Sequence, residues 1–177
     1  MTTFAKHCRF RRPKKLKVVP FPNPMLKMQS EDVNPAKEPN FLKLIDDMAQ
    51  TMYKEEGVGL AAIQVGIAQN FFVYDDSEEQ NNPRVLCNPV ILSQSEETEE
   101  AEEGCLSFPG IYFPVVRPSS VVVEGLDEYG KPLHIEASGF TARLLQHEMD
   151  HLKGIVILDR ATPQVRKQVM REHYMGK

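Results

Sequence analysis

The clearest periodicity in the chain lies at Phe41, Leu44, Ile45, Met48 and Met52, where apolar residues recur at helical spacing. It predicts a helix over residues 40–56, with Asn40 positioned to cap its start and Gly57 to stop it. Residues 57–64, rich in glycine, read as a chain reversal leading toward a strand over 70–74. Residues 85–92 and 119–126 are rich in β-branched side chains and bounded by proline or glycine, as strands should be. Residues 127–131, Asp-Glu-Tyr-Gly-Lys, read as a hairpin turn, and 132–136 as the returning strand. A second helix is expected over 139–152, ending at Gly154. Phe140, Leu144, Leu145 and Leu152 make most of its surface apolar, so it belongs in the interior. A short strand at 155–158 and a C-terminal helix at 163–173, opened by Pro163, complete the chain. Strands outnumber helices and the connections look antiparallel. The expected class is therefore α+β, with antiparallel sheets packed around one central helix and further helices towards each end.

That central helix carries Gln146-His147-Glu148-Met149-Asp150-His151. Histidines at i and i+4 stand on one helix face, about 6 Å apart along the axis, and both rings can reach one cation. Two imidazoles on a buried face are costly unless each nitrogen finds a partner, and a metal ion supplies one to both. A lone core histidine is usually just hydrogen-bonded. The intervening Glu148 and the upstream Glu103-Gly104-Cys105-Leu106-Ser107, which offers a thiolate, argue against that bland reading here. A set of Cys105, His147 and His151 would leave a fourth position of the ion open to water, whose pKa the ion lowers to roughly 7. Glu148, on the flank of the histidine pair, is suited to take the water proton and hand it to a departing amine.

Composition narrows the setting. At 177 residues the chain fits one catalytic domain over 18–177, preceded by a basic tail over 1–17 expected to be flexible. A net charge of −4 and 41% hydrophobic content select no partner, neither a membrane nor a particular nucleic-acid sequence. No apolar run approaches the roughly 18 residues of a membrane span. The tail carries seven Lys and Arg between Lys6 and Lys17 without an apolar core, so it is no secretory signal, while a remnant of an organellar transit peptide stays open. Three cysteines, Cys8, Cys87 and Cys105, have no disulfide-framework spacing and point to a reducing compartment, by default the cytoplasm. Glu96, Glu97, Glu99, Glu100, Glu102 and Glu103 read as a solvated acidic loop.

Three segments in order, Gly57-Val58-Gly59-Leu60-Ala61-Ala62-Ile63-Gln64, residues 103–107 and Gln146 to Leu152, resemble the three signature motifs of the peptide deformylase family. The resemblance covers roughly residues 18 to 160. It implies removal of the N-formyl group from the initiator methionine of nascent polypeptides by a metal-dependent hydrolase. It also implies that the Gln64 amide and the Leu106 backbone N–H stabilise the oxyanion. The substrate would lie extended along an edge strand, on backbone groups near Val58, Gly59 and Gly104. Val58, Phe140, Leu144 and the alkyl stem of Arg143 would wall the methionine pocket. By the same resemblance Arg117 would pair with a glutamate, for which Glu56 is the candidate. The ion would be Fe²⁺, with Zn²⁺, Ni²⁺ or Co²⁺ also compatible with the ligands. A C-terminal helix with Arg166, Lys167 and Arg171 would suit ribosome contact, though charge pattern alone favours a solvated face. Tyr112 departs from the pattern, standing where some members carry a basic residue.

Two other readings use the same histidines. An HExxH metallopeptidase would take Glu172 as third ligand and leave Cys105 and Gln64 without roles. A non-catalytic structural zinc module would need a fourth protein ligand from His134, Cys87 or His173, none at close spacing.

Overall fold

A computed structural model describes residues 14–174. Helix α1 (Phe41–Lys54) leads into strands β1 (Gly59–Ala61), β2 (Phe71–Tyr74), β3 (Arg84–Gln94), β4 (Thr98–Cys105), β5 (Phe108–Pro118), β6 (Ser120–Leu126) and β7 (Pro132–Ser138). Helices α2 (Gly139–Leu152), α3 (Ile157–Arg160) and α4 (Pro163–Val169) follow. Five strands form one antiparallel sheet in the order β1-β2-β3-β6-β7, and β4 pairs with β5 alone. The expected α+β class with antiparallel sheets is what the chain adopts.

The side chains of β2 explain the layering. Alternate residues of a strand face opposite sides of its sheet. Phe71 and Val73 accordingly join Phe41, Ile45, Met48 and Met52 of α1, while Phe72 and Tyr74 join Leu144, Leu145, Met149 and Leu152 of α2. The five-stranded sheet is thus covered by a helix on each side, and α2 lies buried as its apolar circumference demands. A third cluster unites Phe108, Ile111, Phe113 and Val115 of β5 with Val156, Ile157, Leu158 and Val169. It carries the two-stranded sheet against α3 and α4.

Several local expectations change. Residues 59–61 are not simply part of a turn: they form β1, because main-chain pairing with β2 (Gly59 opposite Tyr74) decides the conformation, and residues 62–65 make a single 3-10 turn. The acidic stretch is a strand, β4, held by its register with β5 from Thr98 opposite Pro118 to Gly104 opposite Tyr112. Strand β5 escaped the sequence reading because Pro109, Pro114 and Pro118 interrupt it, although Ile111, Phe113, Val115 and Arg117 alternate inward. Residues 157–160 turn as helix rather than strand. Asp159 caps that turn through a 2.9 Å bond from the Val156 N–H, and a four-residue apolar run has too little period to decide between the two. Asn40 stands at the N-cap of α1 with φ 59°, but its side chain makes no capping bond. Thr162 caps α4 and Pro163 opens it, after which residues 170–174 form a π-helical turn. Of the basic N-terminal stretch, residues 1–13, including Cys8, lie outside the described residues. The Lys14 and Leu16 backbone N–H groups bond Asp47 (2.7 Å) and Thr51 (3.0 Å) of α1. Cys87 is a buried free thiol whose pKa burial pushes up to about 12.

Leu145 packs fully buried between α2 and the sheet. Leu145→Ala should therefore cost about 2–5 kcal/mol through lost burial and the cavity left behind. Urea denaturation should show this as a lower midpoint at unchanged slope.

Candidate metal centre

The site forms where β4 ends against the middle of α2. A register shift between Gly104 and Cys105 re-aims the strand end, a common use of β-bulges beside functional groups. It delivers the Cys105 Sγ to 3.2 Å from the His151 Nε2. The two histidine rings lie 5.0 Å apart at 72°, as i, i+4 spacing on α2 requires. One donor atom from each of Cys105, His147 and His151 lies within 4.8 Å of the others, so the three could hold one ion. Among the described residues no other group of three or more ligand-type side chains converges in this way. Glu172, His134, Cys87 and His173 are outside it, which removes the ligand sets that the metallopeptidase and structural-zinc readings require.

The donors fit a cation on their own chemistry. The His147 Nδ1 lies 2.9 Å from Glu103 Oε2, so that nitrogen carries the hydrogen and Nε2 is left to face the cluster. Burial disfavours charge on His147, yet the Cys105 sulfur and the Glu103 carboxylate outweigh it and pull its pKa up to about 10. Burial and the neighbouring His147 instead hold His151 well below its usual value. One sulfur and two imidazoles whose donor atoms converge in this way make a set that a single divalent cation suits.

Glu103 is the residue whose role the sequence reading missed. Arg117 is not paired with Glu56, which is exposed. It lies buried and grips Glu103 through Nε at 2.6 Å and Nη2 at 2.9 Å, and reaches Asp150 with Nη1 at 2.8 Å. Arg143 adds a further bond to Glu103 at 2.6 Å, and Arg160 clamps the other side of Asp150 through two bonds. Burial alone would raise the Glu103 pKa, but its bonds from His147 and Arg117 hold it down to about 2. The available signal was positional: Glu103 stands two residues before Cys105, within the same short motif.

Every substrate-contacting residue expected from the sequence lies on one cleft of about 610 Å³: Val58, Gly59, Gly104, Phe140, Arg143 and Leu144. Gln64, Cys105, Leu106, His147 and Glu148 also line it, and His151 sits buried behind them. Gln64, 1% exposed, accepts a 2.9 Å bond from the Ala61 N–H on its Oε1. Its Nε2 is thereby turned to Cys105 Sγ (3.4 Å) and Ser107 Oγ (3.2 Å). Glu148 is 3% exposed, and burial pushes its carboxyl up to about 7 against the opposing pull of His147. Its Oε2 has no hydrogen-bond partner among the described residues. Gly59 is needed where it stands: a Cβ there would strike the Glu148 carboxylate and come within 2.8 Å of Leu144 Cδ1. The Arg143 guanidinium is held by Glu103 and by the carbonyls of Val115 (2.9 Å) and Glu99 (2.7 Å), and the residue lines the cleft.

Removing Arg117 leaves Glu103 and Asp150 with fewer partners in a buried place. Arg117→Ala should cost about 3–5 kcal/mol of stability, measured by denaturant melt. Arg171→Ala, on the exposed last turn, should change it by less than about 0.5 kcal/mol.

The relationships of the chain agree with this geometry. A family profile described as polypeptide deformylase matches residues 15–167. Peptide deformylase 2 of Xanthomonas campestris pv. campestris is 41% identical over 159 residues, spanning 89% of this chain and 93% of the relative. The crystal structure of a peptide deformylase from Legionella pneumophila superposes with a TM-score of 0.83 at 38% identity, over 89% of this chain and 92% of that one. The peptide deformylase from Thermotoga maritima does so with a TM-score of 0.80 at 42% identity, over 85% and 99%. With that agreement of profile, sequence and fold across most of its length, the chain belongs to the peptide deformylase family, metal-dependent hydrolases that remove the formyl group from the N-terminus of polypeptides.

Proposed function

We propose that residues 18–177 act as one catalytic domain in which Cys105, His147 and His151 hold a single divalent cation on α2. The convergence of those three donors at the floor of a substrate-sized cleft, with the buried Glu148 beside them, carries the reading. When bound, the cation would supply Lewis acidity and make water a nucleophile at near-neutral pH. Fe²⁺ is the ion we infer, with Zn²⁺, Ni²⁺ and Co²⁺ compatible with a sulfur and two nitrogens.

The chain's own groups then divide the work. Glu148, with its carboxyl pushed up to about 7, takes the proton of the attacking water and returns it to the amine that leaves the formyl carbon. The Gln64 amide, its oxygen tied to the Ala61 N–H, keeps its Nε2 beside Cys105, where a hydrogen now directed to the sulfur or to Ser107 turns to the oxyanion, and the Leu106 backbone N–H joins it. Glu103 fixes the His147 ring, so the ligand does not reorient during turnover. Val58, Leu144 and Phe140 receive the methionine side chain. Gly59 and Gly104 offer main-chain groups to an extended nascent peptide. Gly59 also brings the wall close to Glu148, leaving little room for a methyl on the attacked carbon. A cytoplasmic setting suits this substrate, and among the described residues no helix is long and apolar enough to cross a membrane. The exposed Arg166, Lys167 and Arg171 near the C-terminus supply a basic face for the ribosome.

The decisive experiment compares matched N-formyl-Met and N-acetyl-Met peptides with the metal-loaded enzyme. We expect the formyl peptide to be hydrolysed at least about 10²-fold faster, since acetyl adds steric bulk and lowers electrophilicity. Comparable rates would replace the deformylase reading with a broader amidase. Within the site, Cys105→Ala should lose metal and activity together by elemental analysis and assay. Glu148→Ala should retain metal while kcat falls on the order of 10² to 10⁴. Full activity in Glu148→Ala would move the proton-transfer role to another group.

A further inference from the structure

Two aspartates follow strand β2, and the chemistry described above uses neither. The alternation of the strand carries on through them. Phe71 and Val73 face α1 and so does Asp75, while Phe72 and Tyr74 face α2 and so does Asp76. Asp75, 1% exposed, accepts a 2.5 Å bond from the Tyr53 hydroxyl near the end of α1. Ser77 donates to the same carboxylate through its N–H (2.9 Å) and its hydroxyl (2.5 Å), and Asn82 through its N–H (2.8 Å). Burial alone would raise the Asp75 pKa, but the bonds from Ser77, Tyr53 and Asn82 hold it below its usual value. The Asp75 N–H in turn donates to the Val58 carbonyl at 2.9 Å, so this residue grips both ends of the turn between α1 and β1. Asp76 reaches the opposite wall. It accepts a 3.0 Å bond from the Thr141 hydroxyl in the first turn of α2, where Ser138 makes no side-chain capping bond. Arg84, its guanidinium 4.8 Å from the centre of the Tyr74 ring, pairs with the other oxygen of Asp76.

We propose that Asp75 and Asp76 are positioning residues that set the width of the methionine pocket, by tying its two walls, at Val58 and at Phe140, to neighbouring residues. Covalent geometry holds adjacent Cα atoms about 3.8 Å apart, so walls anchored to such a pair do not drift while both bonds persist. Val58, Phe140 and Leu144 line the cleft, whereas neither aspartate does. The pair therefore acts through the walls and touches no substrate. A pocket held at one width suits the unbranched methionine side chain and resists one branched at Cγ. This role rests on the deformylase reading of the cleft and deepens it.

The test uses metal-loaded enzyme, the C-terminally amidated peptides formyl-Met-Ala-Ala and formyl-Leu-Ala-Ala, and the variants Tyr53→Phe, Thr141→Val and both together. Each substitution removes a single hydroxyl, leaving Asp75 its bonds from Ser77 and Asn82 and Asp76 its pairing with Arg84. In the double variant the kcat/KM preference for methionine over leucine should fall by at least about 3-fold, chiefly through a higher KM for the methionine peptide. Thr141→Ser, which keeps the hydroxyl, should keep the parent preference. Because the preference is a ratio within each enzyme, a general loss of folded or metal-loaded protein cancels. A smaller fall in the double variant, or an equal loss of kcat on both peptides, overturns the proposal while leaving deformylation intact. Inactivity of the parent enzyme on both peptides would instead remove the deformylase reading, and the methionine pocket with it.

Discussion

The Glu103 carboxylate is the constraint on which the site depends. It is buried, and it stays ionised because Arg117 grips both its oxygens while Arg143 and His147 each add a bond. A buried charge so paired is expensive to disturb, since removing any one partner exposes the others to an environment that does not solvate them. The same carboxylate sets the direction of the His147 ring and contributes the negative field that a cation answers. Through Arg117 the network continues to Asp150, one residue from His151, and ends on Arg160 at the start of the C-terminal segment. Strand β4, strand β5, helix α2 and helix α3 are thus held around one point by buried ionic contacts.

Those apolar contacts decide how accurately α2 is presented. The helix lies on the five-stranded sheet through Leu144, Leu145, Met149 and Leu152, and β2 shows its other face to α1. A helix packed in this way has little freedom to rotate, because interiors are close-packed and a small turn would force several side chains into one another. Rigid support suits a site in which the three donor atoms, the Gln64 amide and Glu148 must keep their spacing. Gly59 and Gly57 belong to the same requirement from the opposite wall. A Cβ at Gly57 would come within 2.7 Å of Leu106 Cδ1, so the two walls approach as closely as main chain permits.

Much of this could be read in the sequence because it depends on local spacing. The i, i+4 histidines on a mostly apolar helix, the apolar recurrence along α1 and the β-branched runs of β3 and β6 each carry a period that a single strand or helix expresses by itself, whereas the left-handed turn that ends α1 falls on Glu56 and not on Gly57. The ordered motifs around Gly59, Cys105 and His147 name the residues of the cleft, and all of them line it or stand behind it. What failed was the reading of segments whose conformation a neighbour imposes. Three prolines mask the alternation of β5, and the row of glutamates in β4 resembles a solvated loop until β5 lies beside it. Residues 155–158 were too short for their apolar content to discriminate strand from helix turn.

Arg117 shows the boundary most plainly. Its sequence neighbourhood gives no partner, and Glu56 was the candidate that the sequence offered. Only the antiparallel register of β4 with β5, and the docking of both against α2, puts Glu103 and Asp150 within reach of one guanidinium and leaves Glu56 at the cleft mouth in solvent. The sequence by itself determined which side chains carry the chemistry, since two imidazoles, a sulfur and a carboxylate are chemical identities that folding does not alter. The tertiary structure decided which carboxylate is buried and paired and which is exposed. That choice depends on distances across the chain, and Coulomb attraction and desolvation change steeply with separation and burial.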